Sequence, residues 1–198
     1  MKKRKMGIII TISNERVKKL NVPYPSYGKI SNLEDKLAEM KNDYWLHHDL
    51  FTFQWWLLLI IFVVPWILWW RYVDKTRLKD IVLFGSLLML LVGLMDDIGV
   101  YAHFWSYPYK LLQVVPRLAA VDNGILIVAH MTVYQFFRKW KSFIIANLVM
   151  AAIFTFIFEP LTVWLDIYQL DNWKYIYSFP IYVAKAVFLK WLVQRINP

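Results

Sequence analysis

The sequence predicts an all-α integral membrane helix bundle of about five transmembrane helices, with a short N-terminal amphipathic helix. Of the 198 residues, 59% are hydrophobic and 18% are aromatic, which is too apolar for the surface of a water-soluble protein. Five apolar segments have the length of about 20 residues that a helix needs to cross about 30 Å of hydrocarbon. The 11 Trp and 12 Tyr favour many crossings of the headgroup region, where these side chains settle.

The predicted spans divide the chain into an N-terminal tail, residues 1–50, and a transmembrane bundle, residues 51–198. The first span, from Phe51 to Trp70, contains no charged residue, whereas each later span contains at least one. The five spans are predicted at residues 51–70, 81–101, 118–137, 143–165 and 176–196.

The tail carries one helical pattern. Leu33, Leu37 and Met40 recur at helical spacing among charged residues. Ser31 and Glu34 form a capping-box pattern at the start of this stretch. The pattern predicts a short amphipathic helix that lies near the membrane surface.

Two other parts of the tail are predicted to be less regular. Residues 21–28 contain two prolines and are predicted to be a linker. Residues 6–12 are apolar and follow a basic stretch, as in a signal peptide. This run is short, however, and no small-residue cleavage site follows it, so we expect no cleaved signal.

The Lys and Arg residues of the short loops predict the orientation, because such residues are retained on the cytoplasmic side. Nine of them lie on one side of the predicted bundle and three on the other. This count places the protein in the cell membrane with its N-terminus outside and its C-terminus in the cytoplasm. The basic residues of the tail favour the opposite orientation, although the densest of them lie far from the first span. The nine are Arg71, Lys75, Arg77, Lys79, Arg138, Lys139, Lys141, Lys190 and Arg195, and the three are Lys110, Arg117 and Lys174.

Charge and motif content exclude several function classes. The net charge of +9 is concentrated in the tail and beside the apolar segments, so we expect the lipid bilayer, and no nucleic acid, as a partner. The absence of Cys excludes disulfides, thiolate metal sites and cysteine nucleophiles. The sequence has no Gly-rich phosphate loop, HExxH or GxSxG motif, so we expect no cofactor and assign no catalytic residue. Adjacent ligands point apart on a helix, so His47, His48 and Asp49 are not predicted to bind a metal.

Ionisable side chains inside the predicted spans are the candidates for function. A charge at membrane depth is unfavourable by about 3 kcal/mol even on lenient scales, so it usually faces protein or water. Because neighbouring helices alternate in direction, Asp97, Asp122 and Glu159 are predicted at one level near one membrane face. Lys185 lies deeper, but its long side chain can reach that level. The candidate pocket residues are Asp96, Asp97, Asp122, Asn123, Glu159 and Lys185, while His130 is interpreted as a packed histidine.

Helical phase supports an inward position for these acids. Ser86, Gly93 and Asp97 share one stripe of the second predicted span, and small residues allow close helix contact. The aromatic segments at residues 103–109 and 166–180 are predicted to close over the same membrane face.

Two interpretations of the buried charges remain open at this point. Asp122 and Lys185 can pair simply to fix the register of the helices. Alternatively, the acids and the lysine form a polar pocket near the non-cytoplasmic face that binds a cation or an amphiphilic, lipid-like small molecule.

Four aromatic motifs give the chain a family resemblance. They are WRYVDKTRL from Trp70, DDIGVYAHFWSYPYKLL from Asp96, VYQFF from Val133 and FEPLTVWLDIYQLDNWKYIYSFPIY from Phe158. With them, residues 51–191 resemble an uncharacterised family of small multi-pass membrane proteins from Bacillus-like and clostridial spore-forming bacteria. The resemblance implies a multi-pass fold and brings no reaction or ligand with it. Gln113 and Asn123 depart from the family pattern, and the tail is additional.

Three function classes are therefore carried forward. The first is ligand binding in the polar pocket described above. The second is an integral membrane enzyme acting on a lipid or isoprenoid, with Asp97 or Glu159 as a general acid. The third is a structural or assembly subunit of a membrane complex. Five spans are few for a complete transporter, so transport would require a homo-oligomer.

Overall fold

The computed structural model describes residues 24–196, and this part of the chain is almost entirely helical. The predicted all-α bundle is confirmed. Short π-helical turns at Trp45–Asp49, Val121–Leu126 and Phe154–Phe158 interrupt the helices, and Lys75–Arg77 forms a 3₁₀ turn. We number the helices α1 Tyr27–Tyr44, α2 Phe53–Tyr72, α3 Leu78–Tyr101, α4 Ile127–Phe136, α5 Trp140–Ile153, α6 Glu159–Trp164 and α7 Tyr175–Ile196, and the strands β1 Trp105–Ser106 and β2 Gln169–Leu170.

Four helical stretches in residues 24–196 are long and apolar enough to cross a membrane. Their lengths range from 20 to 27 residues, so each reaches or exceeds the thickness of the hydrocarbon layer. These stretches identify the chain as a membrane protein. They are Phe53–Tyr72, Lys75–Tyr101, Trp140–Trp164 and Tyr175–Ile196.

The segment predicted as the third span is a shorter helical passage, because its regular helix begins only at Ile127. At its start, the backbone N–H of Leu118 donates to Asp96 near the end of α3. At its end, the Gln135 amide donates to the carbonyl of Tyr72, the last residue of α2. A short loop joins Tyr72 to the start of α3, so this contact lies at the other end of α3. The passage therefore connects the two ends of the bundle, antiparallel to α3, although it is shorter than the other four.

Gly124 explains why this passage is irregular. Its dihedral angles, φ −103° and ψ −112°, are not helical, and they break the hydrogen-bond ladder inside the π-helical turn. The indole N–H of Trp66 donates to the carbonyl of Asn123 at 2.8 Å, which satisfies a carbonyl beside the break. A Cβ at Gly124 would lie 2.7 Å from the carbonyl oxygen of Ile61 and 2.8 Å from the Cα of Phe62. Glycine is therefore required for α2 to approach this turn so closely.

We expect Gly124→Ala to lower the free energy of unfolding by about 1–3 kcal/mol, because the added methyl meets rigid backbone rather than a flexible side chain. Gly28→Ala is the matched control, since a Cβ at that position has no neighbour within 4 Å. Alanine is the better helix former, so this control should be neutral or slightly stabilising. Denaturant titration of both variants in mixed micelles would measure the difference, and an equal effect at the two glycines would contradict the close approach.

The main apolar core fills the end of the bundle where α3 and α5 begin and α4 and α7 end. Phe84 stacks on Tyr134 with ring centroids 4.4 Å apart, and Phe143 packs edge-on against both rings. Ile81 and Leu88 are completely buried beside them. The dense packing leaves the opposite end of the bundle for the polar groups.

Polar contacts join the loops at the packed end. The carbonyl of the Gln135 side chain accepts from the backbone N–H of Asp74 at 3.1 Å. Hydrogen bonds from Thr76 lower the pKa of Asp74, so this carboxylate stays ionised for its ion pair with Arg138. The buried Lys190 donates from Nζ to the carbonyls that follow α4. These contacts gather most of the basic loop residues at one end.

The described residues divide into two units, with the boundary between Met40 and Lys41. The helix predicted in the tail is present, but it begins at Tyr27, so the capping box at Ser31 is wrong. No residue of α1 is buried. Of the predicted linker, residues 24–26 are non-helical, but residues 27–28 belong to α1, so its last part is wrong. Its first part and the predicted absence of a signal fall outside the described residues.

Candidate functional site

A cavity of ≈ 600 Å³ lies at the end of the bundle opposite the apolar core. Its wall is mostly apolar and includes side chains from α2, α3, α6 and α7. The π-helical turns that precede α4 and follow α5 also contribute. Ionisable groups line it at one end: Asp96, Asp122, Glu159 and Lys185. The polar and aromatic side chains near them are Trp105, Tyr107, Thr162, Tyr168, Trp173, Ser178 and Tyr182.

A small lid covers this end of the cavity. Strands β1 and β2 pair antiparallel, with Trp105 opposite Leu170, and so join the loop after α3 to the loop after α6. His103 lies two residues after the end of α3, and Asp166 lies two residues after the end of α6. Both adopt positive φ, 55° and 59°, and the chain reverses at both places. The two aromatic segments therefore meet at one face, as the sequence predicted.

Asp96 holds the lid to the bundle. Its Oδ1 accepts hydrogen bonds from the indole N–H of Trp105 at 2.5 Å and from the hydroxyl of Tyr107 at 2.6 Å. Its Oδ2 accepts from the backbone N–H of Leu118 at 3.2 Å. These three hydrogen bonds fix the position of a buried carboxyl group.

Two tyrosines of the lid, Tyr107 and Tyr168, have buried phenol groups. Burial, with the charge of Asp96, raises the pKa of Tyr107 well above its usual value. Burial likewise raises the pKa of Tyr168, whose ring lies 5.5 Å from that of Tyr107. Both phenols therefore stay protonated at physiological pH and remain neutral, donating groups in the site.

Asp97 and Asn123 lie outside the cavity wall. Asp97 pairs with Arg117 at 2.7 Å in a partly exposed ion pair. The guanidinium of Arg117 also covers Gly93, where a Cβ would come within 3.2 Å of it. The backbone carbonyl of Asn123 accepts from the indole N–H of Trp66 on α2. The structure thus brings together four of the six candidates.

The side chain of Asp122 has fewer hydrogen-bond donors than those of Asp96 and Glu159. It is 7% exposed, and its Oδ2 accepts no hydrogen bond from any described residue. Its carboxyl group interacts electrostatically with that of Asp96. Asp96 already accepts hydrogen bonds from three donors, so it supplies Asp122 with none.

Glu159 is held by a relay of donors. The indole N–H of Trp173 donates to the hydroxyl of Ser178 at 3.0 Å, and that hydroxyl donates to Oε2 of Glu159 at 3.1 Å. Tyr182 and Glu159 also interact electrostatically. Pro160 follows Glu159 at the start of α6. Because proline has no backbone N–H, it donates no hydrogen bond to a carbonyl of the preceding π-helical turn.

Lys185 is the cation within this cluster. It is 7% exposed and interacts electrostatically with Asp122, Glu159 and Asp96. Its Nζ lies 4.1 Å from the centroid of the Tyr182 ring, which is a cation–π distance. Three carboxyl groups therefore face one ammonium group, and the site favours a further positive charge or further hydrogen-bond donors.

The acids lie beside a cavity that is mostly apolar. Within residues 24–196, no group of three His, Cys, Asp or Glu side chains is close enough to hold a metal. The acids instead surround part of a larger cavity whose aromatic rings can contact a ligand.

The remaining ionisable residues have structural contacts. His130 is buried, and its Nδ1 lies 2.8 Å from the carbonyl of Leu126, as expected for a packed histidine. Asp49 is 1% exposed and accepts from the backbone N–H of Lys110 at 3.0 Å. Its other oxygen lies 3.0 Å from Nδ1 of His48. Sequence analysis did not find this role of Asp49 in holding the loop, because the partner lies 61 residues away.

Sequence analysis also missed the donors around the acids. Trp105, Tyr107, Trp173 and Tyr182 lie in segments recognised only as aromatic. The signal available was their position beside Asp96 and Glu159 in the two longest aromatic motifs.

No protein-family model, curated protein or solved structure matches this chain.

Proposed function

We propose that this protein binds an amphiphilic small molecule whose head group is cationic. The observation that carries the proposal is the cavity, which joins a large apolar wall to a polar end with three acids and one lysine. The tail of the ligand lies along the apolar wall, and its head lies beside Asp122.

The size of the cavity supports an organic ligand. Its volume of ≈ 600 Å³ lies in the range of about 300–1,000 Å³ that small-molecule sites occupy. Because most lining side chains are hydrocarbon or aromatic, a small inorganic ion would leave most of this space without a polar partner.

The charge of the polar end supports a cationic head. Asp122 has a buried oxygen without a donor among the described residues, and a ligand ammonium group would supply one. The indoles of Trp105 and Trp173 line the same end, and such rings attract a cation through their faces. Lys185 repels such a head, but three carboxyl groups outweigh its charge.

Access from the bilayer is consistent with the cavity wall. Ile98, Phe158 and Leu161 line the cavity and are also 55%, 39% and 43% exposed. All three belong to stretches long and apolar enough to span a membrane. A hydrophobic ligand dissolved in lipid can therefore reach the cavity between helices.

We also propose the cell membrane as the location, with the cavity towards the non-cytoplasmic side. The basic loops after α2 and α4 lie at the packed end and are joined by the ion pair of Arg138 with Asp74, so positive charge is concentrated opposite the cavity. The proposed family remains that of the small multi-pass proteins named above, two of whose motifs contain Asp96 and Glu159.

The test is photolabelling of the purified protein with dodecyl probes that carry a diazirine on the chain. The heads are trimethylammonium, sulfate and maltoside. We expect the ammonium probe to label the cavity side chains Ile125 and Phe154 saturably, with competition by unlabelled dodecyltrimethylammonium. Asp122→Asn should weaken its apparent affinity roughly tenfold, about 1.4 kcal/mol, by removing one charge near the head.

Asp97→Asn is the control, because it removes a neighbouring charge that does not line the cavity. Equal saturable labelling by all three probes would refute the cationic head and retain an amphiphile site. Labelling confined to lipid-facing side chains such as Ile67, which is 64% exposed, would refute amphiphile binding.

A further inference from the structure

An apolar seam runs along one face of α1. Ile30, Leu33, Leu37, Met40 and Tyr44 follow one another at intervals of three and four residues. They are 38%, 65%, 49%, 70% and 46% exposed. This alternating spacing is the heptad pattern that packs one helix against another in a coiled coil.

Charged residues flank the seam on both sides. Glu34 and Lys41 lie along one flank, and Lys36 and Asp43 lie along the other. Between Glu34 and Asp43 each flank therefore carries one acid and one base, seven residues apart, and Lys29 precedes Lys36 on the second flank. Such flanking charges select the direction in which two helices pair.

Parallel pairing of two α1 helices gives a mixed set of contacts. In that arrangement, a residue on one flank faces the residue five positions later on the other helix. Lys29 would then face Glu34, which is attractive, but Lys36 would face Lys41. The two repulsive contacts offset the two attractive ones.

Antiparallel pairing makes every flank contact attractive. When Leu37 packs against Met40 of a second copy, Leu33 packs against that copy's Tyr44. On one flank, Glu34 then faces Lys41 of the second copy. On the other flank, Lys36 faces Asp43 of the second copy, and two-fold symmetry repeats both contacts.

We propose that two copies of this protein associate through antiparallel pairing of their α1 helices. The interface is isologous, with Leu37 and Met40 at its centre. It is independent of the ligand cavity, so either assignment can fail without the other.

The absence of Cys permits a direct test by disulfide cross-linking of full-length protein in membranes. Two differently tagged chains, one with Leu33→Cys and one with Tyr44→Cys, are co-expressed and oxidised. Antiparallel pairing brings these positions together, and it places two Leu33→Cys sites about 16 Å apart along the axis. We expect the mixed pair to cross-link at least fivefold more than two chains that both carry Leu33→Cys. It should also cross-link more than two control chains that both carry Asp35→Cys, which lies on the outer face of α1.

A charge exchange supplies the second measurement. Lys41→Glu should reduce the mixed cross-link several-fold, and adding Glu34→Lys to the same chains should restore it, because the attractive contact is re-formed with opposite signs. Cross-links between two Leu33→Cys chains would instead show parallel pairing and overturn the proposal. Equal cross-linking at the outer control, or none at any position, would show that α1 covers its seam in another way, for example on lipid.

Discussion

Replacement of Lys185 with methionine is expected to lower the free energy of unfolding by about 3–5 kcal/mol. Methionine nearly fills the same volume but removes the one ammonium group that, among residues 24–196, lines the cavity with Asp122, Glu159 and Asp96. The three carboxyl groups would then repel one another in a poorly solvated site. Unfolding in mixed micelles, followed by circular dichroism, measures the loss.

The same substitution should strengthen binding of the dodecyltrimethylammonium probe, because it removes a like charge from beside the head. Lys174→Met is the matched control, since Lys174 is an exposed loop residue and should change neither quantity. A destabilisation no larger than that of the control would show that Lys185 does not balance the acids.

The second large effect is expected at Asp96. Asp96→Asn should lower the free energy of unfolding by about 2–4 kcal/mol, because an amide has one acceptor oxygen in place of the two that bind Trp105, Tyr107 and the Leu118 amide. The amide N–H₂ would also face a donor. Loosening of the lid should red-shift the fluorescence emission as Trp105 becomes more hydrated.

The adjacent Asp97→Asn provides an unusually close comparison. Its partner Arg117 and its own side chain are 25% and 37% exposed, so we expect a loss of only about 1 kcal/mol or less. Equal losses at the two neighbours would mean that the hydrogen bonds to the lid do not stabilise the fold.

The sequence was sufficient to predict the helical bundle and the level of the acids. Apolar length defines a helix that can span, and alternating direction brings Asp122 and Glu159 to the end of the second predicted span. Four of the six candidate residues do lie around one cavity. These predictions depend only on helix geometry, which the sequence pattern determines.

The choice between Asp96 and Asp97 could not be made in this way. Gly93 and Asp97 do share a face of α3, but that face packs on the guanidinium of Arg117 instead of on another helix. Adjacent residues of a helix point about 100° apart, so the identity of the neighbour decides which of the two acids enters the cavity. That neighbour comes from an irregular loop.

The sequence pattern also could not predict the irregular start of the third predicted span. Gly124 lies in an apolar stretch where hydropathy gives no sign of a break. Its special conformation depends on the close backbone of Ile61 and Phe62, more than 60 residues earlier. Long-range contacts of this kind leave no periodic signal.

The exposed part of the cavity wall at Ile98, Phe158 and Leu161 also affects how ligand affinity should be understood. A ligand that enters between helices equilibrates with the lipid phase, in which an amphiphile is far more concentrated than in water. Occupancy then follows the mole fraction of ligand in the membrane and changes with lipid-to-protein ratio, so a site of modest intrinsic affinity can still be filled when the aqueous concentration is very low.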